Sequence, residues 1–129
     1  MGRKKAAKAP PVRRVLVVDD DTLVAEVTAR LLASIGQVIV ERAHDGPSAV
    51  RLAGEFKPDI VFLDLVMPGM DGLEVARQLR AMAHIKRPKI VALTAFRQPA
   101  FQDAASAAGF DGYLTKPPSA EDLAKALAA

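Results

Sequence analysis

The 129-residue sequence has no cysteine and no tryptophan, and it has a single tyrosine. With no thiol there is neither a disulfide framework nor a thiolate metal site, which suits a reducing, cytoplasmic setting. Half of the residues are hydrophobic, yet only five Phe and one Tyr are aromatic, so the core must be built from Val, Leu, Ile and Ala. Apolar runs are short. None approaches the ~20 residues that cross a bilayer, and no apolar region follows the basic start as in a signal peptide, so no membrane association is expected. A GxxxxGK[ST] run is missing too, which removes the usual phosphate cradle for ATP. His44 and His84 fall in expected loops, and no His/Asp/Glu spacing suits zinc.

Acid is absent from residues 1–14, which carry Arg3, Lys4, Lys5, Lys8, Arg13 and Arg14. The formal net charge is +3; taking these six cations from the 18 Lys and Arg leaves 12 against 15 acids, a net of −3 for the rest of the chain. The basicity therefore belongs to a Lys-, Ala- and Pro-rich tail, expected to be flexible over 1–14. The body, 15–129, is long enough for one domain with a real core. Six charges without interleaved aromatics fit a solvated terminus better than nucleic-acid or lipid recognition.

What the chain does have is a repeated alternation. Val15 to Val18 is an apolar run of β-formers ending in Asp19-Asp20-Asp21. An Asp cap and the stripe Leu23, Val24, Val27, Leu31, Leu32 and Ile35 predict a helix, with Gly36 as its stop. Gln37 to Ala43 reads as a second strand. Asp45-Gly46-Pro47 turns the chain, and Pro47 or Ser48 opens a helix to about Phe56. Ile60 to Leu63 is unbroken and apolar, as in a strand covered on both faces, and it stops at Asp64. After the turn Met67-Pro68-Gly69-Met70-Asp71-Gly72 comes a helix bearing Leu73, Val75, Ala76, Leu79 and Met82. Lys89 to Thr94 is a fourth strand, and Pro99 to about Ala108 is a weak Ala-rich helix. Gly112 to Thr115 is a short fifth strand, and Ser119 with Asp122 resembles a capping box for a last helix. Asp45, Asp71 and Asp111 read as turn residues, and Asp21 as a helix cap.

Five such alternations imply an α/β fold: a parallel, doubly wound sheet with helices on both faces. In the order 2-1-3-4-5, strands 1 and 3 are neighbours at the switch point, where ligands bind beyond the carboxyl ends. Asp19 and Asp20 would then lie beside Asp64, with Thr94 and Lys116 facing the same crevice. Three crowded carboxylates are tolerated if a cation joins them, and Mg²⁺ suits a few carboxylate and carbonyl oxygens while keeping waters for a phosphoryl oxygen. A metal, a lysine and a hydroxyl around one carboxylate suit in-line phosphoryl transfer onto that carboxylate.

VLVVDDD, DIVFLDLVMPGMDG, ALTA and GYLTKP, in this order, resemble the receiver domain of two-component response regulators, the CheY-like superfamily, over Val15 to Ala129. The resemblance implies a single-domain, flavodoxin-like fold with five helices. It implies Asp64 as phosphoacceptor, and Asp19 and Asp20 as the acidic pair for Mg²⁺, one directly and one through water, with the Val66 backbone carbonyl as a further ligand. Thr94 becomes the switch hydroxyl, Lys116 the invariant-type lysine, Tyr113 the aromatic switch residue, and Lys116-Pro117 a candidate cis bond. Implied partners are a sensor histidine kinase or phosphotransfer protein and a downstream protein. The domain itself is expected to make no nucleic-acid contact, and phosphorylation-dependent dimerisation stays open. On this reading the protein is not an enzyme, since it promotes only its own phosphorylation and dephosphorylation, and its fourth helix, fifth strand and fifth helix present the switched surface.

A stand-alone receiver is favoured by the Met-Gly-Arg-Lys-Lys start and the absence of an output-domain pattern, while the abrupt Ala-Ala end leaves a C-terminal truncation open. The alternative is the receiver part of a longer hybrid kinase or DNA-binding regulator. A distant alternative is a Mg²⁺-dependent phosphatase with an aspartyl nucleophile; such enzymes commonly carry an acid/base Asp two residues on, where this chain has Val66. Val66 and Phe96 are both apolar, and neither can orient an attacking water, so the acyl phosphate should persist. Val66→Asn is expected to speed phosphate loss several-fold; release no faster than wild type would count against this.

Overall fold

The computed structural model describes residues 12–82, 86–95 and 99–128. The basic segment through residue 11, His84 and Phe96 lie outside them. The element order is β1 (Arg13–Val18), α1 (Thr22–Ile35), β2 (Val38–Ala43), α2 (Gly46–Phe56), β3 (Ile60–Asp64), α3 (Gly72–Ala81), β4 (Lys89–Thr94), α4 (Pro99–Ala107), β5 (Gly112–Thr115) and α5 (Ala120–Ala128). The strands form one parallel sheet in the order β2-β1-β3-β4-β5. This is the expected flavodoxin-like fold. No described helix is long and apolar enough to cross a membrane.

Alternate strand residues feed two cores because strand side chains point to opposite faces. Val15, Val17, Ile60, Phe62, Val91 and Leu93 pack with Ala25, Leu32 and Leu123 of α1 and α5. Leu16, Val18, Val61, Leu63, Ile90 and Ala92 pack against α2, α3 and α4. All five residues of β3 are buried, which explains its unbroken apolar run. Side-chain caps set the helix starts: Asp21 accepts from Leu23 and Val24, Asp45 from Ser48, Asp71 from Glu74, and Ser119 from Asp122.

Two expectations need correction. Arg13 and Arg14, expected in the flexible tail, open β1, pairing with Val38 and Ile39. Their side chains find partners in the fold. Arg14 Nε donates to Phe56 O at 2.7 Å with its guanidinium 4.3 Å from the Phe56 ring centroid, and Arg13 Nη1 donates to Leu127 O at 2.6 Å. The second correction concerns α1. Its buried face is Ala25, Thr28, Ala29 and Leu32, whereas Leu23 and Val27 of the expected stripe are 70% and 49% exposed. Small residues let the helix lie close to the sheet, and the larger side chains are left outside.

The turn after β3 depends on Gly72, the first residue of α3. A Cβ there would fall 2.1 Å from the backbone oxygen of Asp64. The Gly72 N–H donates to Leu65 O at 3.0 Å, closing the turn. Gly72→Ala must displace either α3 or the Asp64 backbone, and should cost about 2–4 kcal/mol, the range of severe overpacking. Urea unfolding would check it; a loss below ~0.5 kcal/mol would mean the turn yields freely.

Candidate functional site

Register brings the acids together. Val18 pairs with Leu63, so the next residues, Asp19 and Asp64, leave adjacent strands side by side. Asp19 and Asp64 are buried and Asp20 is exposed. One carboxylate oxygen from each of the three lies within 4.8 Å of the others. On the far side, Thr94 ends β4 and is fully buried, paired with Thr115. The Lys116 N–H donates to Thr94 O at 2.8 Å, which delivers the lysine to the same crevice. Its Nζ lies 2.6 Å from Asp19 Oδ2 and 3.1 Å from Asp64 Oδ2. The Lys116–Pro117 peptide is cis.

The carboxylate oxygens are unequally occupied. Asp19 Oδ1 accepts from the Asp21 N–H at 2.9 Å, and Asp64 Oδ1 from the Val66 N–H at 3.2 Å. Asp19 Oδ2 is buried without a hydrogen bond of good angle; its close approach to Lys116 is an ion pair. Burial pushes the Asp64 carboxyl up to about 6; the Lys116 ammonium pulls against it, Asp19 adds to the rise, and the Val66 N–H opposes it. Burial would lower Lys116, but its close ion pairs with the Asp19 and Asp64 carboxylates outweigh that and move it upward.

Three ionised carboxylates facing one ammonium leave two negative charges, the charge of one divalent cation. Together with the oxygen of Asp19 that lacks a hydrogen bond, this donor set fits a hard, oxygen-seeking ion such as Mg²⁺.

The other expected residues sit around this cluster. Val66 is at the rim and 52% exposed. Tyr113 pairs with Ala92, two residues back from Thr115, and is outside the acid cluster. It packs half-buried on the α2–α3–α4 side and lines a hollow of about 160 Å³ with Gln102, Ala105 and Phe110. Two residues carry more than the loop and turn roles expected of them. His44 Nδ1 lies 3.1 Å from the Asp19 backbone oxygen, so the ring donates there and ties the end of β2 to the end of β1. Asp111 binds the Arg80 guanidinium at 2.6 Å and the Ile90 N–H at 2.9 Å, fastening the start of β4. No local pattern marks either role, because both partners are distant in sequence.

This sheet, ending in paired acids and a lysine, has the architecture of a signalling receiver. The chain belongs to the response regulator receiver domain family, whose model matches residues 15–128. It is a receiver domain of two-component systems, a class of phosphoacceptors rather than enzymes in the usual sense. Among curated relatives it is 40% identical over 121 residues to the transcriptional regulatory protein PdtaR of Mycobacterium tuberculosis, covering 94% of this chain and 58% of that protein. It is also 40% identical over 116 residues to the response regulator GacA of Pseudomonas aeruginosa, covering 88% and 53%. The chain thus spans little more than half the length of these relatives. Among solved structures it resembles the chemotaxis protein CheY4 of Vibrio cholerae (TM-score 0.85, 31% identity, 92% of this chain and 98% of that one). It also resembles the receiver domain of the sensor histidine kinase PA1611 of Pseudomonas aeruginosa, which has a magnesium ion coordinated in its active site cleft (TM-score 0.81, 31% identity, 91% and 95%).

A carboxyl group raised on folding contributes stability below its unfolded value near 3.8, and that contribution is lost as pH rises through about 6. Without divalent cations, ionised Asp64 should therefore cost the fold about 1–3 kcal/mol near neutral pH. Asp64→Asn is expected to raise the unfolding midpoint in chelator near pH 7 and to lose that advantage near pH 4. Equal midpoints at neutral pH would contradict it.

Proposed function

We propose that Asp64 accepts a phosphoryl group from a phosphohistidine on a sensor kinase or phosphotransfer protein. A carboxylate oxygen of Asp64 forms the new P–O bond as the P–N bond breaks. The imidazole leaves with a proton from solvent, and water later cleaves the acyl phosphate and regenerates the carboxylate. The observation that carries this reading is the convergence of Asp19, Asp20 and Asp64 with the Lys116 ammonium on one strand end. A bound Mg²⁺, held by the three acids and the Val66 backbone carbonyl, would offset charge on the transferring oxygens. Lys116, already 3.1 Å from Asp64 Oδ2, needs only a small shift to reach a phosphoryl oxygen.

The added group carries nearly two negative charges and strong acceptors. On this reading it draws in the Thr94 hydroxyl and Lys116, and Tyr113 turns inward from its half-buried place beside α4. The α4–β5–α5 surface then changes for a downstream protein, by population shift. The donor must bring its imidazole onto Asp64, so its body covers the rim. There Leu23 and Val27 line an apolar hollow of about 220 Å³ with Pro117 and Pro118. Such chemistry belongs in the cytoplasm, and it would operate alike in this domain alone or within a chain as long as its relatives.

Incubation with acetyl phosphate and Mg²⁺ should add the mass of one phosphoryl group, lost on omitting Mg²⁺ and in Asp64→Asn. Size-exclusion elution of the same samples reads whether phosphorylation drives dimerisation. An undiminished mass gain in Asp64→Asn would move the acceptor elsewhere. Steady turnover of a phosphomonoester that depends on Asp64 would favour the phosphatase reading.

A further inference from the structure

The three acids of the crevice are not held alike. Asp64 has the Val66 N–H and the Lys116 ammonium on its carboxylate, and Asp19 has the Asp21 N–H and the same ammonium. Asp20 is exposed, and among the described residues its carboxylate makes no hydrogen bond and no ion pair. Its place in the cluster is therefore set by the backbone that carries it, and above all by the peptide joining it to Asp19.

That peptide is gripped from β2. Val18 pairs with Ala43, and the Asp19 N–H donates to Ala43 O at 3.1 Å. In a regular parallel ladder the next rung would bring the Asp45 N–H to Asp19 O. Asp45 has instead left the sheet to cap α2, where its side chain accepts the Ser48 N–H at 2.7 Å. The His44 ring supplies the missing donor, with Nδ1 3.1 Å from Asp19 O. A side chain thus completes the rung that the backbone abandons. Because the peptide unit is planar, holding its oxygen fixes the direction in which Asp20 departs.

We infer that His44 is a positioning residue for the cation site, acting through the Asp19–Asp20 peptide to hold the Asp20 carboxylate against Asp19 and Asp64. The inference rests on reading the three acids as a divalent-cation site. Asp19 Oδ2, buried without a hydrogen bond, supports that reading independently of His44. The ring contributes a single N–H at a set distance from the backbone. Asn carries its amide nitrogen at the place of Nδ1, whereas Gln carries it one carbon further out. A histidine that only pinned the β2–α2 turn would affect the fold and leave the ion's affinity alone.

The test is calorimetric titration of the full chain with Mg²⁺, alongside thermal unfolding in chelator. His44→Leu should weaken Mg²⁺ binding about 10-fold, the size of effect seen when a ligand loses the partner that orients it. His44→Asn should stay within about 3-fold of wild type, and His44→Gln should fall with His44→Leu. In an Asp20→Asn background, His44→Leu should weaken binding by less than about 2-fold, because both changes act on one carboxylate. A loss undiminished in that background would overturn the assignment, since His44 would not be acting through Asp20. So would equal affinity in wild type and His44→Leu, or a His44→Leu whose only defect is a lower unfolding midpoint in chelator. If His44→Leu does not fold, equal affinities for the Asn and Gln variants would overturn it. Wild type that takes up no Mg²⁺ would instead remove the cation reading of the acids, and this role with it.

Discussion

Repulsion among carboxylates at the carboxyl ends of β1 and β3 is the constraint around which the protein is arranged. Buried strands on both sides force Asp19 and Asp64 into contact, because Val18 and Leu63 are in register. Two buried acids side by side are unfavourable unless positive charge joins them. The fold supplies part of that charge from far along the chain. Lys116 arrives from beyond β5, two strands away from β3, steered by the backbone bond from its N–H to Thr94 O. One ammonium does not neutralise three acids, so the apo pocket remains electrostatically incomplete. That deficit of positive charge favours a divalent cation at this point.

The same logic runs through the helix starts. Each of Asp21, Asp45 and Asp71 begins a helix at the acidic end, where a side-chain oxygen meets orphan N–H groups. Their charges add to the field over the crevice, while cations gather at the carboxyl ends of the helices below. The molecule is therefore electrically polar along the strand direction, and its modest net charge hides this.

Much of the fold could be read from the chain because its strands are buried on both faces. Runs such as Val15–Val18 and Ile60–Leu63 have no competing helical period, and acids mark their ends. That Asp19 and Asp64 would meet was legible from the strand order, since each closes a buried run and the two runs are neighbours. The buried face of α1 was less so: apolar size points to Leu23 and Val27, while close packing selects Ala25 and Ala29. Arg13 and Arg14 read as tail because charge masks a strand start whose partners, Leu127 O and Phe56 O, lie far away in sequence. His44 gave no signal at all, as a loop histidine acquires meaning only from the carbonyl it meets.

The glycine at the start of α3 has a wider consequence. With Gly72 pressed on the Asp64 carbonyl and Gly46 pressed on Met70, the α2–α3 flank is wedged against the Asp64 backbone. On the same face α4 is anchored by one buried residue, Ala105, and across the sheet α5 is anchored by Leu123. A disturbance at Asp64 thus meets a fixed jaw on one side and a loose one on the other. Mechanical compliance alone would send it toward β4, β5 and their helices.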